Sequence, residues 1–162
     1  MDFLDNHHIV NAWVPQIDAG NGNETTDWIG MRDYSKLTFI VHTGDATAGT
    51  ADGAITVNAA TTAAGGGTTA ITFHYRTCAS STTVDTWGAR TAATATGFVM
   101  TAGDNYIYAI EVDAEEVSSQ LAGADFVSLT LTEDTNDPIV SGCLAILSGA
   151  RYPQSIPATA IA

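Results

Sequence analysis

Residues 105–113, Asn-Tyr-Ile-Tyr-Ala-Ile-Glu-Val-Asp, constrain the fold more than any other stretch of the chain. Tyr106, Tyr108, Ile110 and Val112 fall on one side of an extended backbone, while Ile107, Ala109, Glu111 and Asp113 share the other. That period of two is the mark of a half-buried strand. Residues 126–132 repeat it, with Val127, Leu129 and Leu131 inward and Ser128, Thr130 and Thr132 outward. Two such strands leave apolar faces open, so more strands must cover them.

The rest of the chain supplies them. Residues 37–43 place Leu37, Phe39 and Val41 on one face, residues 54–58 read as a strand, and residues 70–76 turn Ile71, Phe73 and Tyr75 inward. Residues 97–101 form a short strand or strand end, and 139–148 a mostly buried strand. Residues 44–53 are turn formers, and 61–69, with Gly65, Gly66 and Gly67, read as a flexible connection. One helical signal occurs, near 115–122: Glu115 and Glu116 at its start, Val117 and Leu121 four apart, Gly123 after its end. Pro15, Pro138, Pro153 and Pro157 stand outside residues 16–137, so ladders can run uninterrupted there. The expected fold is all-β, an antiparallel β-sandwich or jelly roll of about seven to nine strands with one short helix. Residues 1–15, with little periodicity, read as an N-terminal arm, 16–152 as the sandwich domain, and 153–162 as an extended tail.

Charge narrows the partners. Eighteen acidic residues against five basic ones leave a formal net charge of -13, and Lys36 is the single lysine. Nucleic acid and anionic membranes are gripped by clustered Lys and Arg, so neither is expected as a partner; a basic protein surface is. The apolar runs are too short to cross a bilayer as a helix, and the first residues lack the basic and apolar regions of an export signal. Cys78 and Cys143 match no metal or redox spacing and read as buried, reduced thiols, with a disulfide as the alternative.

No arrangement of catalytic groups stands out. His7, His8, His42 and His74 follow no metal-ligand spacing, although His42 and His74 would meet if their strands paired. Asp45 with Asp52, and Glu133 with Asp134 and Asp137, offer oxygen ligands for calcium, but Asp in loops more commonly supports turns. Ser80, Ser81, Ser118 and Ser141 lack a nucleophile context, and Cys143 lies in a buried-looking strand. The glycine run has no Lys-Ser or Lys-Thr after it and is not a phosphate cradle. Glu111 and Asp113 share a face and form a candidate acid and base pair, while Trp13, Trp28 and Trp87 are candidate sugar platforms or core anchors. No enzyme activity, cofactor or metal is expected.

Three segments, residues 101–116, 125–133 and 136–152, together resemble a family of small structural proteins of tailed bacteriophages that includes head decoration, or cement, proteins. The resemblance spans about residues 34–152 and is strongest after Thr101. It implies a β-sandwich, commonly trimeric, on the outer surface of the phage head, where it clamps the major capsid protein. A tail or neck component, or a carbohydrate-binding sandwich, are the alternatives. On the decoration reading, Phe3, Leu4, Ile9 and Trp13 at one end and Tyr152, Ile156 and Ile161 at the other contact coat or sister subunits.

Overall fold

A computed structural model describes residues 3–18, 22–46, 53–79, 83–101, 105–132, 139–152 and 158–161, without the side chains of residues 4, 5, 45 and 46. A single helical turn, α1 (Phe3–Asn6), leads into β1 (His7–Gln16). Then come β2 (Glu24–Thr25), β3 (Ile29–Gly30), β4 (Tyr34–Ala46), β5 (Ala54–Ala60), β6 (Thr69–Ala70), β7 (Phe73–Cys78), β8 (Thr91–Ala93) and β9 (Phe98–Val99). The chain continues through β10 (Ile107–Asp113), the helix α2 (Ala114–Gln120), β11 (Phe126–Thr132) and β12 (Ile139–Ala150). Seven of these strands have six residues or more, and every pairing is antiparallel.

The strands make two sheets. The first runs β1-β12-β4-β10-β7-β8; the second runs β2-β11-β5-β6, with β3 also on β11 and β9 also on β5. Their facing sides form one core. Leu37, Phe39 and Val41 of β4 and Tyr108, Ile110 and Val112 of β10 are buried in the first sheet, as are Ile55 and Val57 of β5 and Val127, Leu129 and Leu131 of β11 in the second. β10 is central, flanked by β4 and β7. The fold is therefore all-β and sandwich-like, as the alternation requires.

Residues 70–76, expected to be a single strand, belong to two. β6 pairs with β5 in the second sheet and β7 with β10 in the first, so the chain changes sheets at Ile71 and Thr72. Ile71 plugs the corner, fully buried. The period of two continues through such a bend, which is why the sequence pattern does not reveal it. α2 closes the same region. It carries the chain from β10 to β11 and anchors itself through the buried Val117, with Glu115 and Glu116 at its positive end.

Residues 7–15, expected to be part of an N-terminal arm, are built into the sandwich as a strand. β1 is the edge strand of the first sheet, paired with β12, and Val10, Ala12 and Trp13 lie in the core. Register shifts between Asn11 and Trp13 and between Trp13 and Gln16 bulge the strand. Bulges insert residues into the alternation and so erase the periodic signal. The edge ends near Pro15, whose missing N–H discourages a further strand. At the other terminus, Gly30 N–H donates to the Ala160 carbonyl at 2.7 Å and Ile161 bridges to Ile29. The glycine run is also more ordered than expected: Thr61 N–H donates to the Gly66 carbonyl at 2.9 Å, and Gly66 N–H to Thr62 Oγ1 at 2.8 Å.

Candidate functional site

The outward side of the first sheet carries the most distinctive surface. Cross-strand register sets Asn11, Leu144, Ile40 and Ala109 in one row, and Ile9, Ile146, Thr38 and Glu111 in the next. These are outward positions, because their neighbours Cys143, Ala145, Phe39 and Ile110 face the core. Most are nevertheless aliphatic. Ile9 is 44% exposed and Leu144 45%, with Val140 and Pro15 also open to solvent. A depression of about 450 Å³ lies at this end of the face, lined mainly by apolar groups of β1, β4, β10 and β12. Gly142 makes it possible: a side chain there would press on Pro15, whose Cγ lies 3.0 Å from the position of a Cβ.

The opposite corner of this face is charged. Arg90 meets Glu111 at 3.0 Å, while Lys36 sits 3.3 Å from Asp113 and 4.0 Å from Glu111. The two carboxylates are thus shared between two cations on an open sheet surface, beside a depression of only about 70 Å³. This is an ion-pair network. A glycosidase-like acid and base pair would instead need a cleft for its sugar.

His42 and His74 do not meet. Both strands flank β10, with His42 opposite Ile107 and His74 opposite Glu111, four residues apart along it. His7 stacks on Phe3 at 4.3 Å and donates Nδ1–H to the Phe3 carbonyl in the tautomer that this 2.9 Å contact requires. His8 lies 3.4 Å from the Tyr34 hydroxyl. Among the described residues, no three His, Cys, Asp or Glu side chains converge as metal ligands. Asp52, Glu133, Asp134, Asp137, Ser80, Ser81 and Ile156 lie outside the described residues, as do the side chains of Asp45 and Leu4. Ser118 bonds back to the Ala114 and Glu115 carbonyls of its own helix, and Ser141 is buried.

The cysteines point to opposite sides of one sheet. Cys78 is opposite Ile107, in the row of His42 and Gly142, whereas Cys143 follows Gly142 and faces the core. Both thiols are free and buried, and burial pushes the Cys143 thiol far above its ordinary range. Neither reads as a nucleophile.

Trp13 is 5% exposed and packs within its own chain, so it is a core anchor and not a contact held out to a partner. Trp28 is half-buried against Gly65, and Trp87 bridges to Cys78 at the far side of the first sheet from β1. The three rings sit on separate regions and assemble no common platform. Of the other terminal residues, Phe3, Ile9, Tyr152 and Ile161 are exposed, but only Ile9 lies in the aliphatic rows. Sequence reading missed Ile40, Ile107, Leu144 and Ile146. Their signal was present: β4 and β12 carry aliphatic residues on both faces, which a one-sided sheet does not need.

No family model matches the sequence, and no curated protein matches it. Among solved structures the chain is similar to the SPBc2 prophage-derived protein YomS, with a TM-score of 0.48 and 14% identity over 88% of this chain and 92% of that one.

Proposed function

We propose that this protein is a non-catalytic structural component of a bacteriophage particle, a head decoration protein that docks on the major capsid protein through the outward side of its first sheet. The observation that carries the proposal is the aliphatic pair of rows through Ile9, Ile146, Leu144 and Ile40, left on the open side of a six-stranded sheet. Contiguous apolar surface of this kind is characteristic of sites that another macromolecule covers. The resemblance of residues 101–152 to decoration proteins supplies the class of partner, and the net charge of -13 favours a basic docking surface.

On this reading the protein performs no reaction and holds no cofactor. It adds interface area that must separate before the shell opens, and a trimer would multiply many weak contacts. It would be made in the host cytoplasm and end on the capsid surface. The test is cosedimentation of the purified chain with empty heads and, separately, with tails, after mass photometry has given its oligomeric state. Pelleting with heads alone is expected. Pelleting with tails alone would replace the head by the tail or neck, and pelleting with neither would end the proposal.

A further inference from the structure

Acidic residues outnumber basic ones by eighteen to five in this chain, yet three of the five, Lys36, Arg76 and Arg90, gather at the charged corner of the first sheet. Lys36 has Asp113 as its partner and Arg90 has Glu111. Arg76 differs from both: among the described residues no carboxylate lies within ion-pair distance of it. Its Nη1 donates instead to the Gly88 carbonyl at 3.1 Å, which pins the guanidinium without neutralising it. Cross-strand register sets Arg76 opposite Ala109, and Ala109 opposite Ile40. The short side chain of Ala109 leaves a depression of about 70 Å³ between Arg76, His74, Glu111 and Thr38. Three cations there meet two carboxylates, so the corner has one positive charge in excess.

We infer that this depression takes an Asp or Glu side chain of the protein on which the sheet docks, with Arg76 as its ion-pair partner. The inference rests on the docking reading above and names the group that fixes the partner's orientation. The space equals roughly the liquid volume of two waters, enough for a carboxylate and too small for a sugar ring. A guanidinium offers a carboxylate two parallel donors, and one already pinned loses less freedom on binding. The site is continuous with the aliphatic rows, because Ile40 lies opposite both Ala109 and Leu144. A partner covering those rows excludes water from the ion pair and so strengthens it. β7 lies two strands from β4, which places the acid about 10 Å from the group over Ile40. The net charge of -13 attracts a basic surface from a distance; this corner is the local exception and sets register on contact. A second copy of the chain is disfavoured by that same net charge.

Selection of random linear peptides displayed on phage against the purified full chain tests this. Enriched peptides are expected to hold an Asp or Glu beside aliphatic residues. Changing that acid to its amide should weaken binding at least about tenfold, and Arg76→Gln should do the same. The two changes together should cost no more than either alone, because they remove one interaction. Ala109→Leu, which fills the depression without changing charge, should also weaken binding, whereas Arg151→Gln, at an exposed position just beyond β12, should not. Thermal midpoints close to that of the wild type separate loss of the site from loss of the fold; if Arg76→Gln unfolds, Ala109→Leu decides. No enrichment, peptides without an acid, additive losses, or binding indifferent to Arg76→Gln or Ala109→Leu would overturn the inference. So would an oligomer that Arg76→Gln dissociates without any peptide binding, which would give the site to a second copy. Heads bound equally by wild type and Arg76→Gln would overturn this site and leave head docking standing. Heads bound by neither, with acidic peptides still selected through Arg76, would do the reverse.

Discussion

The amide side chain of Gln120 completes the backbone hydrogen bonding of Thr72. Thr72 N–H donates to Gln120 Oε1 at 2.7 Å, its hydroxyl donates to the same oxygen at 3.0 Å, and Gln120 Nε2 donates to the Thr72 carbonyl at 3.3 Å. Thr72 is where the chain leaves the second sheet for the first, and there a strand loses its ladder partners. The last residue of α2 therefore supplies what a neighbouring strand would have supplied.

Gln120→Ala is expected to cost about 1 kcal/mol, since both partners are partly hydrated and water replaces part of the interaction. Urea denaturation would show a lower midpoint with an unchanged slope.

Gly97→Ala should cost far more. Its φ of 77° is unfavourable for a side chain, and an added Cβ would overlap the Ile55 carbonyl oxygen, which is backbone and cannot swing away. A loss of about 3 kcal/mol or more is expected by thermal unfolding.

Phe98 joins the two sheets. Its ring, on β9 of the second sheet, stacks at 3.8 Å on Tyr75 of the first and lies 5.6 Å from Tyr108. Phe98→Leu removes the stacking while keeping an apolar filler, so a loss of about 1–2 kcal/mol is expected, read as a lower urea midpoint.

Deletion of residues 1–16 would strip β1 from β12 and remove Val10, Ala12 and Trp13 from the core. It should lower stability by about 3 kcal/mol or more. Deletion of residues 1–6 leaves β1 in place, and the cooperative thermal transition should persist.

Alkaline pH should destabilise the fold. Below the ordinary Cys143 value of 9.0 the thiol is protonated in both states; above it the unfolded chain releases the proton while the buried thiol keeps it. Stability therefore falls as pH rises, by up to about 1.4 kcal/mol per unit. Tyr34, raised by burial and then by the charge of Asp33, adds in the same direction above 10.0. Urea midpoints at pH 8, 9.5 and 10.5 should fall less steeply in Cys143→Ala.

The strands with an unbroken period of two were readable directly. Tyr108, Ile110 and Val112, and likewise Val127, Leu129 and Leu131, point inward as their alternation requires. The helix was readable from its acidic first turn and from Val117. β1 was not, because two register shifts interrupt its pattern, and the corner at Thr72 was not, because alternation survives a change of sheet. The candidate site was the least legible part: Ile9 was recognised, while Leu144, Ile40 and Ile107 passed as ordinary strand residues.

By itself the sequence determined which side of each regular strand is apolar, because successive side chains in an extended backbone must alternate. It also determined the strong negative charge. Only the tertiary structure decided which strands become neighbours and in what register. Ile9, Leu144, Ile40 and Ile107 come from four strands far apart in the chain, and long-range pairing alone makes them one surface. That pairing is chosen by how the whole core closes, so no local pattern encodes it.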